Sequence, residues 1–479
     1  MNYSELGRIN LLLNNDGTQV FRQKRFENKD ISLHVKYQDK KFPISNWSRT
    51  GISFQTESEN LKIGDRVEDV EIYVNEHKVY SGVIEVKSKT ENKSSVHYGA
   101  SFLFKLFPIE SVTALKYVDE FRNFETKNAQ DFEQVNLKVC KTVLEMKHCL
   151  QNLKDMCEDF ERKIKNLSFD ERNIAESFFL EKMTEVAHRT LVKYNKEVST
   201  QLHIDSLDYG STYHKLFSEN IYPFFELADI SRRAKEKPLG YAGDFEMMNQ
   251  IYRASFEGQG LFGKILHRYT ATEMNSQAVL FRKPYFCNQY KRKLKENLGE
   301  SIYVLSLASG PCVEFQELIK DLPQEELSKI NLTLLDLDSK SLEHAQSKIY
   351  EQCLRYDKNV NIKFAHTSVK VFLEGTDTFK EDFDLIYSGG LFDYLDNYVS
   401  TGIITNLYKK LNKNGRMIIG NFTDEHSTEA FAHLIADWHL IHKSEEEMRA
   451  WAKNCESAKI SCDYDDNHIN AFLVIDKKA

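Results

Sequence analysis

Ala308-Ser309-Gly310-Pro311-Cys312 is a run of small residues set between an apolar stretch, Ile302 to Leu307, and a helical pattern that starts near Val313. Such a loop lets a ligand approach the backbone closely, because no long side chain stands in the way. In an open α/β sheet, loops of this kind open at the carboxyl ends of the strands, where ligands bind. The next stretch, Leu332 to Leu335, ends in Asp336, about two dozen residues beyond the loop, where a carboxylate can accept both hydroxyl hydrogen bonds of a ribose. Ser306, Ala308, Ser309, Gly310 and Asp336 are therefore the first candidates for a cofactor site. A dinucleotide site would want a Gly-x-Gly-x-x-Gly turn that presents a helix N-terminus to pyrophosphate, and Pro311 and Cys312 spoil that geometry.

These residues need a scaffold, and from Ser301 onward short apolar runs alternate with helical patterns. The runs are Ile302 to Leu307, Leu332 to Leu335, Ile362 to Ala365, Phe383 to Tyr387 and Met417 to Asn421, with Ala471 to Ile475 at the end. The alternation predicts a parallel α/β sheet closed by a reversed last strand. With 479 residues, the chain exceeds what one hydrophobic core organises, so several domains are expected. A net charge of -8, spread along the chain, argues against nucleic acid as the main partner. No apolar run approaches a membrane span, and the first residues lack the layout of a signal peptide, which sets the expectation of a cytoplasmic protein. The eight cysteines show neither Cys-x-x-Cys pairs nor a Cys/His rhythm, so no metal is expected and the thiols read as core filling.

Earlier in the chain the periodicity differs. From Ile31 to Phe104 apolar residues alternate with polar ones, as in Ile31, Leu33, Val35 and Tyr37 and again in Val70, Ile72 and Val74 before an Asn75-Glu76-His77 turn. That is a small antiparallel β domain. From Ser111 the spacing becomes helical: Val139, Val143, Met146, Leu150, Leu153, Cys157, Phe160, Ile164 and Leu167 line one face. Ser168-Phe169-Asp170-Glu171 reads as a capping box that starts a second helix, so the two form an antiparallel hairpin. Two occupants suit this seam: its own neighbour, or the same helices of a second copy in a homodimer. The division that follows is a β-barrel at 1–110, a helical segment at 111–235 and an α/β domain at 236–479.

The loop, the strand ending in Asp336 and the later Phe383-Asp384-Leu385-Ile386-Tyr387-Ser388 resemble class I S-adenosylmethionine-dependent methyltransferases of Rossmann-like fold. The resemblance implies S-adenosylmethionine as cofactor, with Asp336 on the ribose and Ser388 near the substrate. In that family an acidic residue opens the loop; Ser306 replaces it here, and Glu314 just beyond the loop is the residue available to hold the amino group. Thr367 and Ser368 stand where many relatives carry an acid facing the adenine, which leaves adenine recognition to a hydroxyl or a backbone group.

A narrower resemblance lies in Lys237-Pro238-Leu239-Gly240-Tyr241-Ala242-Gly243-Asp244-Phe245-Glu246-Met247-Met248, with Ser388-Gly389-Gly390-Leu391-Phe392-Asp393-Tyr394-Leu395 and Asp437-Trp438. These strings look like bacterial methyltransferases that make methyl esters of 3-hydroxy fatty acids. The implied reaction is methylation of a carboxylate oxygen on a small, lipid-like substrate. A carboxylate is already ionised at neutral pH, so the work is alignment and no strong base is needed. A hydroxyl acceptor would call for one, from Asp244, His267, Asp393 or His426. Tyr241 and Asp244 suit a lid that closes on the cofactor, although a tight turn with Asp244 as helix cap explains the same string. Asn421, at a strand end, is a candidate for holding the acceptor, and Phe392, Tyr394, Phe422, Phe431 and Trp438 are candidates for an acyl pocket.

In the β domain, Arg22-Gln23-Lys24-Arg25 and Asn46-Trp47-Ser48-Arg49-Thr50-Gly51 resemble the PilZ family, as does Val96-His97-Tyr98-Gly99-Ala100-Ser101-Phe102. That resemblance implies cyclic di-GMP as a regulatory ligand of Arg22, Arg25, Asn46, Ser48 and Gly51. Guanidinium groups bind phosphate bidentately and stack on purines. Here two residues separate the arginines where the family usually has three. Two classes of function follow: a methyltransferase gated by the dinucleotide, or a dinucleotide receptor whose degenerate methyltransferase domain serves as scaffold.

Overall fold

The computed structural model describes residues 32–56, 60–92, 95–133, 135–202, 211–297, 300–376, 379–424 and 430–478, together with the backbone of 10–13, 19–22 and 26–27. The chain divides into two compact units, 1–134 and 135–479. The helical segment expected at 111–235 is thus shared between them.

The first unit runs β1 (Asn10–Leu13), β2 (Gln19–Arg22), β3 (Phe26–Glu27), β4 (Leu33–Tyr37), β5 (Lys40–Ser48), β6 (Gly51–Thr56), β7 (Arg66–Val74), β8 (His77–Asn92), β9 (Ser95–Leu103) and α1 (Ile109–Glu133). The strands pair in the order β5-β4-β7-β8-β9-β6, and β6 returns to β5, which closes a six-stranded antiparallel barrel with β3 added against β5. Closure removes the free edges that an open sheet would expose. Period two decides the inside: Leu33 and Val35, Ile52 and Phe54, and Val70, Ile72 and Val74 are buried. Asn75 takes a φ of 52°, as the tight turn between β7 and β8 demands. Ile31 lies outside the described residues.

In the second unit, α2 (Leu137–Ile164) and α3 (Phe169–Gln201) form the hairpin. Ser168 Oγ accepts from the Glu171 amide while the Glu171 carboxylate accepts from the Ser168 amide. Val139, Val143, Met146, Leu150 and Cys157 are buried in a core shared with α3 and the helices that follow. The seam therefore packs within its own chain. Those helices are α4 (Thr212–Asn220), α5 (Tyr222–Phe225), α6 (Asp229–Glu236), α7 (Phe245–Arg253), α8 (Gly260–Thr272) and α9 (Met274–Glu296).

The α/β part follows as β10 (Ile302–Leu307), α10 (Val313–Asp321), α11 (Gln324–Leu327), β11 (Ile330–Asp336), α12 (Ser339–Tyr356), β12 (Asn361–His366), α13 (Lys370–Glu374), β13 (Phe383–Ser388), α14 (Asn397–Lys409), β14 (Leu411–Phe422), α15 (Glu445–Trp451), β15 (Lys459–Tyr464) and β16 (Asn470–Asp476). The sheet order is β12-β11-β10-β13-β14-β16-β15. β16 pairs antiparallel with both neighbours, and the pairs from β12 to β14 are parallel. Helices bury both faces of such a sheet, so its strands read as near-continuous apolar runs. Phe315, Leu318 and Ile319 of α10 are fully buried against one face, and Ile403, Ile404 and Leu407 of α14 against the other. Each such side chain contributes about 1.5–3 kcal/mol. The chain winds outward in both directions from β10 and β13, which places the switch point, and the crevice that accompanies it, at their carboxyl ends. Among the described residues, no helix is long and apolar enough to cross a membrane.

Candidate functional site

A cavity of about 570 Å³ opens at that switch point. Its floor is the loop between β10 and α10. Ala308, Gly310 and Cys312 take φ values of 48°, 54° and 49°. The alternate positions of the loop thus keep the left-handed conformation that glycine favours, although two of the three carry side chains and incur strain of about 1–3 kcal/mol each. Buried α10 side chains hold the loop in place. A Cβ added at Gly310 meets nothing within 4 Å, so the backbone there faces open space.

Asp336 ends β11 beside this loop. Its Oδ2 accepts from the Gly310 amide at 2.9 Å and from Ser341 Oγ at 3.3 Å, and its Oδ1 accepts from the Asp338 amide at 3.0 Å. Burial pushes the carboxyl above its ordinary value, against the pull of these bonds. One lone pair remains on Oδ1, while Oδ2 already accepts two bonds. Ser309 Oγ also lines the cavity and is buried with no hydrogen-bond partner among the described residues.

Glu314 lies deeper, on the first turn of α10, and lines the same cavity. Tyr387 donates to its Oε1 at 2.6 Å, and Tyr290 Oη lies 3.2 Å from Tyr387 Oη. Burial raises the Glu314 carboxyl, with the Tyr387 bond opposing. Such a carboxyl is poised to ionise when a cation reaches it. Thr367 and Ser368 follow β12 on the cavity wall, the Thr367 amide donating to Asp336 O at 3.1 Å.

Over the loop lies the segment between α6 and α7. Lys237, Gly240 and Gly243 take φ values of 48°, 87° and 72°, which folds the segment tightly. From it Tyr241 reaches down and donates to Asp338 Oδ2 at 2.9 Å. Burial, then Asp338, raises its phenol, so it stays a donor. A Cβ at Gly243 would lie 2.8 Å from Tyr394 Oη, which itself donates to Ala242 O and accepts from Trp438 Nε1.

The structure brings Ser306, Ala308, Ser309, Gly310, Glu314, Asp336, Thr367, Ser368 and Tyr241 to one cavity. Other candidates are placed elsewhere. Asp244 is buried off the cavity, where its Oδ1 caps α7 through the Met247 amide and takes the Arg233 Nε at 2.8 Å. Asn421 is buried with Nδ2 given to the Phe422 and Ile441 carbonyls, and Ser388 is buried behind Gly389 and Gly390, which line the cavity in its stead. His267 accepts from the Ile230 amide in the helical core, burial lowering its pKa, and Asp393 accepts from the Phe422 amide. His426 lies outside the described residues. Of the aromatic residues expected to form an acyl pocket, Tyr394 alone lines the cavity; Phe392, Phe422, Phe431 and Trp438 are packed into the cores. The apolar wall is built by Leu239, Phe245, Met248, Val279 and Phe286 instead. Spacing could not single these out, because they come from the loop before α7, α7 and α9 and meet only after folding.

Arg282, on α9, was not foreseen either. It is 8 % exposed and lines the cavity beside Gly389 and Gly390. Elsewhere, His214, His433 and His439 bring ring nitrogens within 4.8 Å of one another. His439 Nδ1 stands 3.3 and 3.2 Å from the two nitrogens of His433 with the rings at 83°, so it meets the ring face, unlike the convergence on one point of a tetrahedral metal site.

In the barrel, Asn46 and Ser48 close β5 and Gly51 opens β6. Thr50 donates its amide to Ser48 Oγ at 3.4 Å, and a Cβ at Gly51 would lie 2.6 Å from Ala100 O, so the glycine is required by β9. Arg25 and the side chain of Arg22 lie outside the described residues, although β3 pairs with Asn46 and Trp47 immediately after them.

No family model matches the chain, and no curated protein does. Among solved structures it is similar to a possible exported protein from Bordetella parapertussis, at 15% identity and a TM-score of 0.41, over 65% of this chain and 100% of that one. It is also similar to the magnesium protoporphyrin IX methyltransferase of Synechocystis with bound S-adenosylhomocysteine, at 11% identity and a TM-score of 0.35, over 52% and 100% of the two chains. The N-methyltransferase NodS of Bradyrhizobium japonicum, likewise with S-adenosylhomocysteine, follows at 16% identity and 0.28, over 41% and 87%. These similarities are too low to carry a function, which must come from the cavity itself.

Proposed function

We propose that residues 135–479 bind S-adenosylmethionine and transfer its methyl group to the carboxylate of a small, lipid-like molecule. The observation that carries this reading is the carboxylate of Asp336 held 2.9 Å from the Gly310 amide at the switch point of a parallel sheet. The residues present fit the cofactor: an acid with a free lone pair on Oδ1 for a ribose hydroxyl, an unpartnered hydroxyl at Ser309, a buried acid at Glu314 for the ammonium group, and an open backbone at Gly310. When bound, the cofactor supplies an electrophilic methyl on a sulfonium. Asp336 and Glu314 orient it, Thr367 and Ser368 border the adenine side, and Tyr241 straps the site through Asp338. The work left to the protein is alignment and exclusion of water. Tyr241 belongs to that strap. Asp244 follows it as the cap of α7, and Asn421 is a buried bridge between β14 and the 441 backbone.

The barrel is read as a site for cyclic di-GMP on Arg22, Arg25, Asn46, Ser48 and Gly51, through which the nucleotide changes turnover. The support is the sequence resemblance and the position of β3 beside Asn46. Incubating the whole chain with methyl-labelled S-adenosylmethionine and a lipid extract, with and without cyclic di-GMP, tests both readings. A labelled methyl ester supports the transferase; cofactor binding without any labelled product leaves the receptor with a degenerate transferase domain as the better reading. Rates unchanged by bound nucleotide remove the gating.

A further inference from the structure

The cavity's charges are unevenly placed. Glu314, Asp336 and Asp338 line the side next to the loop and β11, whereas Arg282 is the one lysine or arginine among the lining residues. Arg282 is buried, and its five donors are poorly used. Nη2 stands 3.6 Å from Asp393 Oδ2 and 3.4 Å from Asn470 Oδ1, and Nε has no partner among the described residues. Asp393 is itself engaged by the Phe422 amide at 2.7 Å. A buried guanidinium with long contacts and an idle Nε is an incomplete site, since groups of this kind are normally satisfied.

Its surroundings are built for it. The guanidinium lies 5.3 Å over the Phe422 ring, and a Cβ added at Gly390 would run into Nη1. Gly390 has no left-handed φ that would itself require glycine. The small residue after β13 is therefore explained by the space the guanidinium occupies. Phe245, Met248, Val279 and Phe286 line the same cavity as an apolar wall.

We infer that Arg282 is the group that holds the carboxylate of the methyl acceptor; this rests on the proposed transfer to a carboxylate and on the loop side being the S-adenosylmethionine site. Arg pairs with carboxylate through two parallel hydrogen bonds, which fixes orientation as well as charge. A phosphate dianion fits less well, because one cation would face it across a cavity that already holds three acids. Arg282 is a binding and orienting group and needs to move no proton.

The test uses the full chain saturated with S-adenosylhomocysteine and titrated calorimetrically with octanoate, octanol and inorganic phosphate. Octanoate is expected to bind at least about tenfold more tightly than octanol or phosphate. Arg282→Gln is expected to lose about tenfold or more for octanoate, with S-adenosylhomocysteine affinity within about threefold of the wild type. Should Arg282→Gln fail to fold, Gly390→Ala pushes the guanidinium aside without straining the backbone and is expected to weaken octanoate likewise. An arginine with only a structural role would lower the melting temperature and leave the octanoate-to-octanol ratio unchanged. That result, or phosphate binding more tightly than octanoate, overturns the inference. If S-adenosylhomocysteine does not bind the wild type, the cofactor reading fails, and the same titrations on the ligand-free chain still decide whether Arg282 selects a carboxylate.

Discussion

The two walls of the cavity at the switch point are made in opposite ways. The loop wall comes from one stretch, β10 through β11, with Gly310 and Asp336 joined by a direct hydrogen bond and Glu314 a few residues along the same helix start. The facing wall is assembled from α7, α9 and the end of β13, and its one cation comes from a helix that precedes the sheet. The first wall is acidic and suits a cationic, ribose-bearing cofactor; the second is apolar with a single guanidinium and suits an organic anion. A charge separation of this kind suits the proposed placement of two ligands in two halves of one cavity.

The sharpest way to break the comparison is to destroy one wall and ask whether the other notices. Gly310→Val puts a β-branched residue at a φ of 54° and fills the space in front of the loop. Cofactor binding is expected to fall by about a hundredfold or more, since strain and occlusion add. Octanoate binding to the ligand-free chain is expected to change by less than about threefold. Loss of both by calorimetry would mean that the walls are not independent.

A smaller effect is expected at the strap. Tyr241→Phe removes the bond to Asp338 Oδ2 and keeps the ring. A phenol donating to a carboxylate is a charge-assisted bond, weakened here by exposure, so cofactor affinity should fall about tenfold with only a small drop in melting temperature. Unchanged affinity would remove Tyr241 from the site.

The acidic wall also carries a pH signature. Burial holds the carboxyls of Glu314 and Asp336 above their ordinary values. A bound ammonium group favours the ionised form of Glu314, so binding releases a proton wherever the pH lies between its bound and free values. Affinity for S-adenosylmethionine should therefore rise as pH rises from the acid side, and Glu314→Gln should flatten that rise. A flat profile in the wild type contradicts the assignment of Glu314.

The smallest effect concerns the helix behind the other wall. Glu273 caps α9 by accepting from the Asn275 and Ser276 amides, and burial pushes its carboxyl up to about 7. The folded state then holds a proton that the unfolded chain has already released, which makes the slope of stability with pH negative between the ordinary value near 4.5 and about 7. This contribution is complete at the acid end and is lost as pH rises through the upper value. The melting temperature should fall by a few degrees across that window, and Glu273→Gln should remove that part of the fall. An unaltered slope in the variant would assign the dependence to other groups.

What the sequence reveals follows the same division. The capping box of Ser168 and Glu171, the alternation in β4 and β7, and the strand–loop–helix–strand unit ending in Asp336 are each local, so residue type and spacing suffice to find them. Strand-end side chains are harder. Ser388 and Asn421 sit at the ends of β13 and β14, yet their atoms turn into the protein, because which face a strand end presents depends on register rather than on type. Asp244 shows a related ambiguity: an acid after a glycine serves equally as a lid residue or a helix cap, and here it caps α7. Arg282 had no local signature at all, lying in an amphipathic stretch of α9. Its one trace in the sequence is Gly390, whose smallness makes sense only once a distant side chain is known to occupy the space.

The most direct test of the account is a calorimetric titration of the full chain with S-adenosylhomocysteine, repeated on Asp336→Ala and, should that variant be unstable, on Asp336→Asn. The expected result is saturable binding at micromolar concentration by the wild type and a loss of about a hundredfold in whichever variant stays folded, as removal of a charged hydrogen-bond acceptor implies. No heat from the wild type, or equal affinity with and without the carboxylate, would contradict the placement of the cofactor beside Asp336.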